Sequence, residues 1–225
     1  MELPLLTMEQ LSQLVASNPP LSQLFEALSR YELQACLIST GSNGPNAGGD
    51  DSTLLSMFYS SFFLVHLLTD QVLDARSEAR ALTKRIPETL LQYDPSLQNC
   101  LTLLRAVWQT QHAQVYQVLR GLPWPDALQP LVRRYESFFQ DKTLIAVSRS
   151  YEAIRLATAA IHLGLDEQLA EKEDPNIISN FTKCGWSWDS ESKLLHPKPI
   201  VVSPTEPQSS NGIRKAMAML GTRAC

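Results

Sequence analysis

Apolar positions recur at helical spacing from near the start of this chain to about residue 184, and the pattern predicts a run of helices. Thr7 with Gln10 three residues on has the form of a capping box, opening a short first helix. Asn18-Pro19-Pro20 closes it, because proline restricts the residue before it and cannot continue a helix. A second helix over about 21–38 sets Leu21, Leu24, Phe25, Leu28 and Tyr31 or Glu32 along one side. Residues 41–51 are rich in Gly, Ser, Asn and Asp and are expected to form a flexible loop. Helices are then expected over 52–69 and 71–85, the second closed by Pro87. Asp94-Pro95 reads as an N-cap with proline at the first helical position, opening a helix to about residue 110. A helix over 112–120 stops at Gly121, read as a C′ glycine; Pro123-Trp124-Pro125-Asp126 is a turn, and 127–140 is helical again. Helical hairpins joined by short connections predict an α-solenoid of tetratricopeptide-like units, degenerate because no strict 34-residue motif can be traced.

Three further helices are expected over 143–154, 155–163 and 167–184, with Asp174-Pro175 interrupting the third. At Gly185 the pattern changes. Trp186 and Trp188, then Leu194 and Leu195, flank a polar Asp189-Ser190-Glu191-Ser192 turn, as in a short β-hairpin. Three helices followed by a two-stranded ribbon is the element order of a winged helix. The expected organisation is N-terminal helices in 1–40, a loop in 41–51, helical repeats in 52–141, a winged-helix module in 142–200, and a linker with a terminal helix in 201–225. In that last stretch Ile213, Met217 and Leu220 share one helical face, at spacings of four and three.

Charge bears on what such a winged helix is for. Between residues 141 and 200 seven basic residues face nine acidic ones, and the whole chain carries a net charge of −4. The third helix as expected holds Asp166, Glu167, Glu171, Glu173 and Asp174 against Lys172 and Lys183. Phosphate neutralisation dominates DNA affinity, so this composition argues against a nucleic-acid reader. Trp186 and Trp188 lie two apart and face one side of a strand. They either pack into the module's own core or sit in a ribbon whose edge pairs with a neighbour's strand.

Nothing in the sequence assembles a catalytic constellation. His66, His112, His162 and His196 are far apart, and no HExxH, GxSxG, P-loop or GxGxxG occurs. Cys36, Cys100, Cys184 and Cys225 form no CxxC pair; with the acidic start, they lead to an expectation of reduced thiols in cytosol or nucleus. The most apolar run, 54–68, is shorter than the roughly 20 residues of a membrane span and carries Ser56, Ser60, Ser61 and His66, so a buried helix is expected. No catalytic residue, metal, cofactor, small-molecule ligand, nucleic acid or membrane is expected.

Several segments carry a resemblance. Ala79-Arg80-Ala81-Leu82-Thr83-Lys84-Arg85-Ile86-Pro87, Val107-Trp108-Gln109 with Val115-Tyr116-Gln117-Val118-Leu119 and Trp124, Ser150-Tyr151-Glu152-Ala153-Ile154, Leu163-Gly164-Leu165, and Gly185-Trp186 with 194–199 follow one another in order. Over about 75–200 they resemble the PCI domain family, and within it the branch formed by subunit eight of the COP signalosome. The resemblance implies a mainly α fold: a helical-repeat solenoid, then a winged helix with a short β-hairpin, plus a C-terminal helix. It implies a non-catalytic scaffold whose partners are other PCI subunits of a signalosome. That complex removes a ubiquitin-like modifier from cullins and so acts on cullin–RING ligases, which would be indirect partners. The corresponding expected location is cytoplasm and nucleus. Related PCI subunits of the proteasome lid or of a translation initiation factor are the alternatives within the family. A free-standing nucleic-acid-binding winged helix is the alternative outside it. On this reading Trp186, Trp188, Leu194, Ile213, Met217 and Leu220 are the candidate interface residues, although such apolar positions equally suit an internal core. Two departures stand out. Segment 213–220 is basic and methionine-bearing where the family has an aromatic, acidic helix, and 41–51 has the character of an insertion.

Overall fold

A computed structural model of the chain describes residues 4–41, 49–69 and 84–200. Ile213, Met217 and Leu220, and most of the helix expected over 71–85, lie outside the described residues; Lys84 and Arg85, at that helix's expected end, sit in a turn. The chain divides into two compact units, Met1–Tyr135 and Glu136–Cys225. The described residues are mainly helical, with a small three-stranded antiparallel sheet.

In the first unit, α1 (Met8–Ala16) is capped as expected, the Thr7 hydroxyl accepting from the Gln10 N–H at 3.3 Å. Its Leu11 and Val15 are buried. Helices α2 (Leu21–Gly41) and α3 (Gly49–Leu68) pack against each other. Helix α3 has no polar face over 54–68, and each residue of that stretch is buried. A helix of this kind has to be surrounded by other elements. Its stretch Asp51–Leu68 is long and apolar enough to cross a membrane by composition, but 83% of it is buried inside the protein, which makes it the core of this unit. Gly41 belongs to α2, and Gly49, Asp50 and Asp51 belong to α3, so both ends of the loop expected over 41–51 are helical. Asp51 lies in the first turn of α3, where the helix dipole favours an acid.

A six-residue helix, α4 (Glu88–Tyr93), stands where none was expected, because six residues are too few to display a helical period. In α5 (Pro95–Trp108) the Asp94 carboxylate caps the Leu97 N–H at 2.9 Å and proline takes the first position, as expected. Helix α6 (His112–Gly121) includes Gly121 as its last residue, and the next residue, Leu122, is extended at φ −91°. Gly121 is therefore not the left-handed C′ glycine that its position suggested. Two side chains fix the turn that follows: Asn99 donates to the Pro123 carbonyl at 2.8 Å, and the Trp124 indole donates to the Val118 carbonyl at 3.1 Å.

After a 3-10 turn at Asp126–Leu128 comes α7 (Gln129–Ser150), one continuous helix of 22 residues where two, 127–140 and 143–154, were expected. The polar run Gln140-Asp141-Lys142-Thr143 contains no proline or glycine, and Gln140 and Thr143 are buried, so polarity there marks no break. The division between units falls within α7, a little before residue 141. Inside the second unit Gln140 donates to the Leu163 carbonyl at 2.9 Å.

The second unit continues with β1 (Ile154–Arg155), α8 (Leu156–Leu163), α9 (Glu167–Glu171), α10 (Pro175–Lys183), β2 (Ser187–Asp189) and β3 (Leu194–His196). Ile154, expected at a helix end, is a strand residue. The ribbon thus gains a third strand: the order is β1-β3-β2, with Ile154 and Trp188 both opposite Leu195. The expected third helix is two helices, parted where Asp174-Pro175 suggested.

Helices α5, α8, α9 and α10 close with the same pair of hydrogen bonds. The longer-range one runs from the Gln111 N–H to the Ala106 carbonyl (2.9 Å), from Leu165 to Ala160 (2.8 Å), from Asp174 to Leu169 (3.1 Å) and from Trp186 to Phe181 (3.2 Å). This closure places the residue before the donor in the left-handed region. Those residues are Thr110, Gly164, Glu173 and Gly185, at φ 55°, 65°, 56° and 89°. Glycine meets the requirement freely at two of them. Threonine and glutamate meet it at a cost.

Candidate functional site

The sequence pointed to the ribbon, and its side chains divide by face. Ile154, Trp188 and Leu195 are aligned across the three strands. They join a core that includes Leu144, Val147, Leu156, Ala160, Phe181 and Trp186. Trp186 is 2% exposed and stacks on Phe181, the ring centroids 5.1 Å apart at 26°. Trp188 packs against the same core while partly exposed. Both tryptophans therefore face inward, on the one side that their spacing required, and Trp186 offers no surface to a partner in this structure. Leu194 lies in register with Arg155 and Asp189, and is half-buried. Since β3 runs between β1 and β2, the outer sides of β1 and β2 are the edges of the sheet, with no further strand beside them among the described residues.

The turn between β2 and β3 is held by its own polar groups. One oxygen of Asp189 accepts from the Glu191 N–H at 2.9 Å and the other from the Ser192 hydroxyl at 2.6 Å. These bonds, the Ser192 hydroxyl first, hold the Asp189 carboxyl below its ordinary value. Lys193, the last turn residue, is left-handed at φ 57° and forms an ion pair with Glu173. His196 places Nδ1 3.2 Å from the Glu152 carbonyl.

Splitting the third helix redistributes its charge. Asp166 caps α9 by accepting from the Gln168 and Leu169 N–H groups, and Asp174 caps α10 by accepting from the Asn176 N–H. Helix α10 itself, Pro-Asn-Ile-Ile-Ser-Asn-Phe-Thr-Lys, contains no acid. Of the nine acids between 141 and 200, seven are thus on α9, around its ends, or at the β2–β3 turn, with Asp141 on α7 and Glu152 just before β1, rather than along one long helix.

The histidines and thiols are where packing puts them. His66 is buried against Phe62 and Phe25, with centroids 4.5 and 5.1 Å away. Burial lowers the affinity of His162 for a proton. Burial, with Asp141 adding to it, pushes the Cys184 thiol up, away from a reactive thiolate. Cys100, fully enclosed, is pushed up to about 12 by burial. Among the described residues no group of three or more His, Cys, Asp or Glu is placed to hold a metal ion. Sequence reasoning missed the Glu173–Lys193 pair, since two residues twenty apart carry no local signal of contact.

Known proteins resemble this chain along most or all of its length. The model of the CSN8/PSMD8/EIF3K family matches residues 53–206. The chain is 48% identical over 224 residues to COP9 signalosome complex subunit 8 of Emericella nidulans, covering 99% of both chains. It is 25% identical over 158 residues to the protein of the same name in Dictyostelium discoideum, covering 70% of this chain and 74% of that one. With the Arabidopsis thaliana protein of that name it shares 23% over 153 residues, or 68% and 74% of the two chains.

Proposed function

The chain belongs to the CSN8/PSMD8/EIF3K family, and from that premise we propose that it works by assembly, as a non-catalytic subunit of the COP9 signalosome. The observation that carries this is the 48% identity to a subunit 8, sustained over 99% of both chains. Its partners are other subunits of that complex. The peptidase chemistry that removes a ubiquitin-like modifier from cullins belongs to another subunit, and cullin–RING ligases are reached through the complex. Cytoplasm and nucleus are the compartments that suit this role.

The finer architecture follows from the same reading. Residues 52–141 form the helical-repeat part of a PCI domain, and 142–200 its winged helix. The element order supports the winged helix: α7, the short strand β1, the helices α8 to α10, then a hairpin whose last strand lies at the centre of the sheet. The outer edge of β2 and a terminal helix within 201–225 serve as contact surfaces. A helix of about 13 residues is marginal alone in water, so Ile213, Met217 and Leu220 call for a groove on a partner.

Affinity purification of the tagged protein from its own cells, read by mass spectrometry, tests the assignment. Signalosome subunits are the expected co-purifying set; recovery of proteasome lid or initiation-factor subunits instead overturns it. Met217→Asp is expected to reduce that recovery several-fold while the circular dichroism of the isolated chain is unchanged. Undiminished recovery removes the terminal helix from the proposal.

A further inference from the structure

Two surface turns of the second unit break the same rule. Glu173, between α9 and α10, and Lys193, between β2 and β3, are both left-handed, at φ 56° and 57°. L-residues other than glycine reach that region at a cost, and asparagine or glycine is the usual occupant. The two side chains reach each other, the Lys193 ammonium pairing with the Glu173 carboxylate. Neighbouring acids are committed elsewhere: Asp174 caps α10 through the Asn176 N–H at 2.7 Å, and Asp189 holds its own turn. Glycine at either position would relax the backbone and abolish the pair. Strain retained at two positions that touch each other points to a role for the contact.

We propose that Glu173 and Lys193 form a latch that fixes the β2–β3 turn, and with it the outer edge of β2, against the α9–α10 turn. The side chains remain 38% and 67% exposed, so the latch is a weak one. Exposed pairs of this kind shift an equilibrium by about two- to fivefold. That magnitude suits a contact that biases the orientation of an edge strand without locking it. The latch stands on these contacts alone; that it presents the β2 edge to a partner subunit rests on the function proposed above.

Hydrogen exchange of the protected amides of the β2–β3 hairpin in the full chain tests the latch. Glu173→Gly and Lys193→Gly are each expected to leave the melting temperature unchanged or higher, yet to speed exchange in the hairpin about two- to fivefold. Glu173→Lys and Lys193→Glu should speed it similarly, and the double reversal should restore protection. Glycine variants with unchanged exchange, or a double reversal without recovery, overturn the latch. The same variants are then assayed for recovery of partner subunits. Faster exchange with undiminished recovery leaves the latch standing and overturns the use of the β2 edge in assembly.

Discussion

Asp189 shows how one side chain can organise a turn and carry a pH dependence with it. Its carboxyl lies below the ordinary 3.8 because the Ser192 hydroxyl and the Glu191 N–H bind the ionised form. A depressed value means that the turn is supported above the unfolded-state value and loses that support as pH falls through the folded one. Carboxyl titration by NMR should give a midpoint below 3.8, and Ser192→Ala should raise it. The residue's role was half legible in sequence. The polar run Asp189-Ser190-Glu191-Ser192 announced a turn, but which oxygen meets which donor depends on the folded loop.

Among the elements, those with local punctuation were legible in the sequence. Thr7, the Asn18-Pro19-Pro20 stop, Asp94-Pro95 and Asp174-Pro175 each mark a boundary where the structure has one, because caps and prolines act within a turn of where they stand. The end of α5 carries no such mark. Thr110 closes it in the left-handed region at φ 55°, and its branched Cβ makes that conformation more costly than for an unbranched residue. An exposed bond from its hydroxyl to the Gln109 carbonyl, at 2.7 Å, offsets part of that cost. Thr110→Gly is therefore expected to stabilise the protein by about 1 kcal/mol, a rise of about 2–4 °C in melting temperature; scanning calorimetry checks it. The continuity of α7 was not legible either. Gln140 looks like a boundary in sequence and proves to be a buried donor to Leu163. Strand β1 was hidden too: two residues, Ile154 and Arg155, carry no period, and only pairing with Leu194 and Leu195, some forty residues on, makes them a strand.

For the whole molecule, charge is the property that composition states without help. With seven basic and nine acidic residues, the stretch 141–200 has no net positive charge to draw in a polyanion. Fluorescence anisotropy of a labelled DNA duplex at low salt is expected to show no shift on adding the full chain; a salt-sensitive shift would contradict the assembly role. The family, too, was legible, because short segments such as Lys84-Arg85-Ile86-Pro87 and Gly185-Trp186 keep their order and spacing, and the matched family spans 53–206.

The sequence by itself determined the helical character, most of the caps and stops, that Trp186 and Trp188 share one side of the ribbon, and the relatives, all of which depend on neighbours within a few residues or on the order of short motifs. Tertiary structure alone decided which polar residues are interior, that Trp186 stacks on Phe181 inside its own core, and that Glu173 meets Lys193. Side-chain period and capping are local, whereas burial and ion pairing require two distant segments to arrive at the same place, and that arrival is settled by packing.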